Sequence, residues 1–342
     1  MKIALDVMGG DHAPYEIVKG AVKAAAGVEG ISKIFLVGDE TAIRKELAKY
    51  PKADKSKLQI VHAPESIAMD EQPAAAVRKK KKCSINICMD LVKHKEADAM
   101  VSAGNSGAVA TAALFSLGRI PGVDRPAIAT VLPTRKPARP LLLLDAGANT
   151  DCHEKWLAQF AVMGSVYSEN VLKRTLPVVG LLSIGTEECK GNEVTKKAFH
   201  LIRQTGVEFR GNVEGHDIYA GATDVVVCDG FVGNVVLKTS ESIAHAVGHW
   251  LKAEFTKNPI RLLGALLLRR ALTRLKKKMD PEIYGGAPLL GVAGTVIITH
   301  GASTHRAIYH ALISAATAAS ANVSGKIESG INAMVLEDPP QA

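Results

Sequence analysis

Along the chain, short β-branched or leucine-rich runs alternate with longer stretches whose apolar positions recur every three to four residues. A two-residue period or a short solid apolar run reads as strand, and a 3.6-residue period reads as amphipathic helix. The pattern predicts strands at Lys2–Val7, Lys33–Val37, Leu58–His62, Ala97–Ser102, Leu141–Leu144, Val178–Ser183, Val225–Cys228 and Val292–Thr299. Helices are predicted at Pro14–Ala26, Thr41–Lys49, Ala74–His94, Ser106–Leu117, Glu154–Val171, Glu193–Gln204, Val232–Phe255 and Thr304–Ala321. Pro14 and Pro73 stand at helix starts, where the missing N–H costs nothing. Solidly apolar strands alternating with helices are the signature of a parallel sheet covered on both faces. The expected class is α/β, with a doubly wound, mostly parallel sheet. No internal repeat and no Gly/Ser or Pro linker interrupts it. A single domain over residues 1–336 is expected, with a loose tail at 337–342.

Composition narrows this picture. The chain has 342 residues, 47% hydrophobic and 22% charged, enough to bury a sizeable core and too apolar for global disorder. Aromatics make up only 4%, which disfavours a stacking platform for single-stranded nucleic acid. Cys83, Cys88, Cys152, Cys189 and Cys228 form no C-x-x-C pair and read as reduced thiols of a cytosolic protein, with no metal site. The first apolar run stops at Asp6, too early for a signal peptide. Uncharged stretches such as Ala99–Gly118 and Ile283–Thr304 contain Gly, Asn, Ser, Pro or His and read as buried strand–turn–helix segments. The formal charge of +8 favours acidic partners.

Five predicted strands run into turns of one character. They are Met8-Gly9-Gly10-Asp11-His12, Ser102-Ala103-Gly104-Asn105-Ser106-Gly107, Asp145 to Asp151 with Gly147 and Asn149, Gly185 to Glu193 with Lys190 and Asn192, and Asp229-Gly230-Phe231-Val232-Gly233-Asn234. In open parallel sheets, ligands sit outside the carboxyl ends of the strands. Glycine admits close backbone approach, and helix-start N–H groups bind anions. Any one such turn is ordinary turn chemistry. Five of them, expected to meet at one edge, point to an anion site to which Lys190 adds a fixed positive charge. There is no G-x-G-x-x-G, no G-x-x-x-x-G-K-[ST] and no G-x-S-x-G string, so the substrate is expected to supply the nucleophile.

At these turns the chain closely resembles the bacterial acyl-ACP:phosphate acyltransferase (PlsX) family. The matching strings include Ile3–Asp6 with Met8–Pro14, Val101–Gly107, Gly118–Ile120, Asp124–Pro126, Leu143–Asn149 and Gln159–Tyr167. They continue through Lys190–Glu193, Gly211–Gly215, Val226–Lys238 and Tyr284–Gly291. Ser106 departs from the family's more frequent Thr, Thr186 lies where acidic residues are expected, and His300–His305 diverges. The resemblance implies a fold similar to phosphotransacetylases and isopropylmalate-type dehydrogenases, and attack of inorganic phosphate on the thioester of an acyl-acyl carrier protein. The acyl phosphate would then feed a membrane glycerol-3-phosphate acyltransferase (PlsY) for phospholipid synthesis. A homodimer without cofactor is implied.

On this reading Lys190 binds phosphate and Asn234 orients it or polarises the carbonyl. Asn192 and Glu193 support Lys190, and Asp229 orients Lys190 or Asn234. Gly9, Gly10, Asp11 and His12 form a second wall of the pocket, with His12 a candidate proton donor to the leaving thiolate. Asn105, Ser106, Gly107, Asp145 and Asn149 line the pocket. As alternatives, Lys190 is a solvated helix-start lysine, Asn234 caps its helix, Glu193 caps another, and His12 is structural.

Two basic segments stand apart. Arg78–Lys82 is either a solvated helix face or a docking surface for the acidic carrier protein. Ile260–Met279 carries seven Lys/Arg and no acid, with Leu263, Leu267 and Leu268 recurring beside Arg269 and Arg270. It reads as one basic amphipathic helix contacting an anionic membrane surface, against a core-packed helix or dimer contact. A cytoplasmic, peripherally membrane-associated enzyme is expected. The competing enzyme is a phosphotransacetylase-like acyl-CoA:phosphate acyltransferase; a dehydrogenase lacks its fingerprint. A membrane or nucleic-acid adaptor has no use for the strand-end turns, and no nucleic-acid partner is expected.

Overall fold

The computed structural model describes residues 1–278 and 281–335. The expected tail at 337–342 and Met279, the last residue of the basic segment, lie outside them. Eleven strands form one sheet: β1 (Lys2–Asp6), β2 (Lys33–Gly38), β3 (Leu58–His62), β4 (Ala99–Ser102), β5 (Ala127–Leu132), β6 (Leu141–Leu144), β7 (Val178–Leu182), β8 (Glu208–Val213), β9 (Val225–Val227), β10 (Ala287–Leu290) and β11 (Thr295–Ile298). The helices are α1 (Tyr15–Gly27), α2 (Glu40–Ala48), α3 (Pro73–Lys79), α4 (Ser84–Lys93), α5 (Ser106–Ser116), α6 (Glu154–Asn170), α7 (Glu193–Gln204), α8 (Gly230–Phe255), α9 (Pro259–Leu267), α10 (Arg269–Lys278), α11 (His305–Ser320) and α12 (Val323–Asn332). The mixed, mostly parallel α/β sheet matches the expected class.

The two-residue period decides the core. On β1, Ile3 and Leu5 join Ile34, Leu36, α1 and α11 on one face, while Ala4 joins Phe35, Met100, α4 and α5 on the other. On β6, Leu142 and Leu144 pack under α6, and Leu141 and Leu143 face the opposite side. Both faces are covered, so strands are apolar at every position.

Strand order is β3-β2-β1-β4-β11-β10-β5-β6-β9-β7-β8. β1 to β4 and β11 are parallel to one another, β10 is antiparallel to β11 and to β5, and β5 is antiparallel to β6. β9, β7 and β8 then follow β6 in parallel. The β1–β4 half and the β6–β9 half therefore run in opposite directions. The five glycine-rich turns do not share one edge: those after β1 and β4 lie on one edge, and those after β6, β7 and β9 on the other.

Three strands lack a prediction: β5, β8 and β10. The single helix expected at Ala74–His94 is two, α3 and α4, separated at Lys80–Cys83. The single helix expected at 260–279 is also two, α9 and α10, meeting at Leu268.

Candidate active site at the carboxyl ends of the strands

The β6 edge is organised by one buried carboxylate. Asp145, fully buried, accepts hydrogen bonds at 2.7–3.1 Å from the N–H groups of Ile128, Gly147, Ala148 and Asn149 and from Asn149 Nδ2. Burial pushes its pKa above the ordinary value, against the opposing pull of these bonds. Asn149 Nδ2 also donates to Pro126 O at 2.8 Å. Asp145 and the Asn149 amide therefore shape the turn; Asp145 does not line a pocket as expected.

The first turn of α8 rests directly on this turn. A Cβ on Gly233 would lie 1.9 Å from Asp145 O, and one on Gly230 would lie 2.7 Å from Asn149 O. Only glycine allows so close an approach. It brings the half-buried Asn234 over Gly147, whose ideal Cβ position is 3.6–3.8 Å from the Asn234 side chain. Asn234 does not cap its helix. Asp229 does, accepting from Val232 N at 2.8 Å, so that carboxylate is engaged with its own helix rather than with Lys190 or Asn234.

β7, the neighbour of β9, ends on the same edge and carries the Lys190 turn. Lys190 N donates to Glu187 O at 3.0 Å, closing the turn, and the lysine stem crosses Gly185, whose Cβ would sit 2.8 Å from Lys190 Cγ. The Lys190 side chain is exposed and makes no ion pair among the described residues. Asn192 caps α7 by accepting from Thr195 N at 2.8 Å, and Glu193 is the exposed first residue of that helix. One edge therefore presents a free ammonium, a half-buried amide and the N-termini of α7 and α8. Such a surface holds an anion and orients a polar group beside it.

The opposite edge has its own buried carboxylate. Asp6 accepts from Ser102 Oγ at 2.7 Å and Met8 N at 3.1 Å, and burial pushes its pKa up. A Cβ on Gly9 would lie 2.6 Å from both Asp6 Oδ2 and Gly104 N, so the β1 and β4 turns interlock. Asp11 N donates to Gly301 O at 2.8 Å, which ties both to the end of β11, and His12 is exposed beside them. Asn105 is buried and used up: it caps α5 through Ala108 N at 3.1 Å and donates to Met69 O and Glu71 O at 3.0 and 3.1 Å. It is not a free pocket group. Ser106 and Gly107 are exposed at the start of α5, with Pro73 against Gly107. The wall formed by Gly9, Gly10, Asp11 and His12 thus follows strands that run opposite to those carrying Lys190 and Asn234.

Cys152 and Cys228 lie near Asp145, but burial, with Asp145 next for Cys152, pushes the Cys152 thiol up to about 12, and burial pushes Cys228 well above its ordinary value. Neither is a thiolate nucleophile. Sequence reasoning missed Asp6, Ser102, Asn212 and Gly301. Asp6 was legible as the polar end of a solid apolar strand, and Ser102 and Asn212 stood in strings already singled out without being given a role; Gly301 carries no local signal.

The basic run is divided. Lys80 pairs with Glu71 at 2.7 Å and Arg78 stacks on Phe115 with its guanidinium 5.0 Å from the ring centroid, while Lys79, Lys81 and Lys82 are exposed. On α9 and at its end, Leu263, Leu267 and Leu268 are 61%, 80% and 52% exposed, so this helix is not packed into the core. Arg269 and Arg270 are exposed as well. Among the described residues no helix is long and apolar enough to cross a membrane.

An α/β sheet whose strand edge presents an ammonium, an amide and two helix N-termini defines an α/β protein built to take an anionic ligand at that edge. Comparison with known proteins agrees. The model of the family described as "Fatty acid synthesis protein" matches residues 1–326. The chain is 49% identical over 332 residues to the phosphate acyltransferase of Nostoc punctiforme, covering 96% of each. It is 52% identical over 312 residues to that of Pelotomaculum thermopropionicum, covering 91% of this chain and 90% of the relative. A phosphotransacetylase from Streptococcus pyogenes shares the fold, with a TM-score of 0.63, 20% identity and 94% of each chain covered. The chain belongs to the phosphate acyltransferase (PlsX) family and is an acyltransferase.

Proposed function

We propose that residues 1–336 act as one domain that transfers a fatty acyl group from acyl-acyl carrier protein to inorganic phosphate, giving acyl phosphate for glycerophospholipid synthesis. A phosphate oxygen attacks the thioester carbonyl carbon, the new C–O bond forms, the C–S bond breaks, and the thiolate leaves and takes up a proton. Phosphate is largely dianionic near neutral pH, with a second pKa of about 6 in phosphoesters, so it needs placement rather than activation. Lys190, supported by Asn192 and Glu193, holds it. Asn234 orients phosphate or stabilises the oxyanion, a contribution of roughly 3–4 kcal/mol per donor. The observation behind this reading is the position of Lys190 and Asn234 after neighbouring strands β7 and β9, beside two helix N-termini.

The enzyme works as a homodimer on the cytoplasmic side of an anionic membrane surface, which it touches through Leu263, Leu267, Leu268, Arg269 and Arg270. There it passes acyl phosphate to the membrane acyltransferase PlsY. Exposed leucines beside arginines support this reading. The exposed Lys79, Lys81 and Lys82 offer a docking surface for the carrier protein. Phosphate-dependent thiol release, measured with acyl-acyl carrier protein and with acyl-CoA, tests the proposal. Efficient turnover of the first donor supports it; turnover of acyl-CoA alone favours the phosphotransacetylase-like alternative.

A further inference from the structure

Asn212, near the end of β8, is 6% exposed and pairs in register with Leu181 of β7. Its Nδ2 donates to Glu187 O at 2.8 Å. That same carbonyl accepts Lys190 N at 3.0 Å. The buried amide on the sheet thus grips the carbonyl that closes the Lys190 turn. The turn is pressed back onto the strand end on its other side as well: Gly191 has φ of +107°, and a Cβ there would lie 3.0 Å from Ser183 Oγ.

Among the described residues, Asn212 makes this one side-chain hydrogen bond. Its Oδ1 is buried with no partner among the described residues, as is Ser183 Oγ. An unpaired buried polar atom costs stability that an apolar side chain of the same shape avoids. The one bond Asn212 makes ends on the Lys190 turn.

We propose that Asn212 is a positioning residue that fixes the Lys190 ammonium through the Glu187 carbonyl. This rests on the reading of Lys190 as the phosphate-binding residue. Asn212 itself touches no substrate. Without its amide the turn loses its tether to the sheet, and Lys190 samples positions that do not serve phosphate.

The test is a set of four enzymes: wild type, Asn212→Leu, Lys190→Ala and the double variant, each assayed with phosphate and acyl donor varied separately. Asn212→Leu raises the phosphate KM roughly tenfold and leaves the acyl-donor KM within about twofold. In the Lys190→Ala background the same substitution changes the phosphate KM by less than about twofold. Equal rises in both KM values, an effect of the same size without Lys190, or an unchanged phosphate KM overturns the proposal. A Lys190→Ala enzyme with normal turnover and normal phosphate KM overturns the Lys190 reading, and this proposal with it, so the two failures are distinct. Asn212→Asp, of the same shape, covers the case in which Asn212→Leu does not fold. Its carboxyl donates to Glu187 O only when protonated, and burial raises its pKa. The ratio of its phosphate KM to that of wild type should fall between about pH 8 and about pH 6; a flat ratio contradicts the tether.

Discussion

Gly233→Ala tests the contact that seats Asn234. The added Cβ would lie 1.9 Å from Asp145 O, and ordinary contact begins at 3.4 Å, so the first turn of α8 must lift by about 1.5 Å. Asp145 cannot yield, because its carboxylate is held by five N–H groups in a fully buried turn. Overpacking of this kind costs about 1–3 kcal/mol, and alanine's better helix propensity returns at most about 1 kcal/mol. A shift of this size at a reacting group costs on the order of 10²-fold in rate. Gly248 lies on the same helix with nothing within 4 Å of its ideal Cβ, so Gly248→Ala should be neutral or stabilising. Thermal melts and phosphate-dependent turnover of the two variants give the answer. A Gly233→Ala enzyme that melts at or above wild type and turns over normally would refute the seating of α8 on Asp145.

Further outcomes follow from the same geometry. Cys189 is exposed and adjoins Lys190, whereas Cys83, Cys88 and Cys228 are buried. A bulky maleimide should therefore inhibit wild type and spare Cys189→Ser; full activity of labelled wild type would contradict the site. Burial raises the Glu16 pKa, but the His305 N–H and ring outweigh it and hold it below the ordinary 4.5. This lowered carboxylate adds stability above its unfolded value that is lost as pH falls through the folded one, so Glu16→Gln should flatten the acid limb of a pH–melting curve below about pH 4.5. Asp145 has the opposite sign: its raised pKa makes folding less favourable as pH rises above the ordinary 3.8. Leu267→Glu should abolish flotation with anionic liposomes while leaving turnover of dissolved substrate intact; persistent flotation would remove α9 from the membrane contact.

The central strands were legible because burial on both faces writes solid apolar runs such as Leu141–Leu144. β8 escaped because it is an edge strand with exposed Glu208 and a register shift that skips Arg210, opposite Val179 and Gly180 of β7. β10 is four residues with a proline, and β5 is a short alternation after Pro126. The break between α3 and α4 contains no Gly or Pro; Lys80 is drawn out of the helix by Glu71 and the Ser66 carbonyl, partners distant in sequence. The glycine-rich turns were legible individually, and their division between two edges was not. Strand direction depends on which neighbour a strand pairs with, and local patterning does not record pairing. Asn105 reads as a pocket group because its type fits, but its carbonyl acceptors at Met69 and Glu71 come from a segment distant in sequence; Asp145 is instead held mainly by its own turn, Gly147 to Asn149, with Ile128 N added from β5.

The most direct test of the central claim follows acyl phosphate itself. Wild type and Lys190→Ala are incubated with acyl-acyl carrier protein and inorganic phosphate while free thiol is titrated and acyl phosphate is read by phosphorus NMR. The account predicts equal amounts of both products from wild type and, at the same phosphate concentration, much less of both from Lys190→Ala. Thiol release that needs no phosphate or yields no acyl phosphate, or undiminished acyl phosphate from Lys190→Ala, would contradict it.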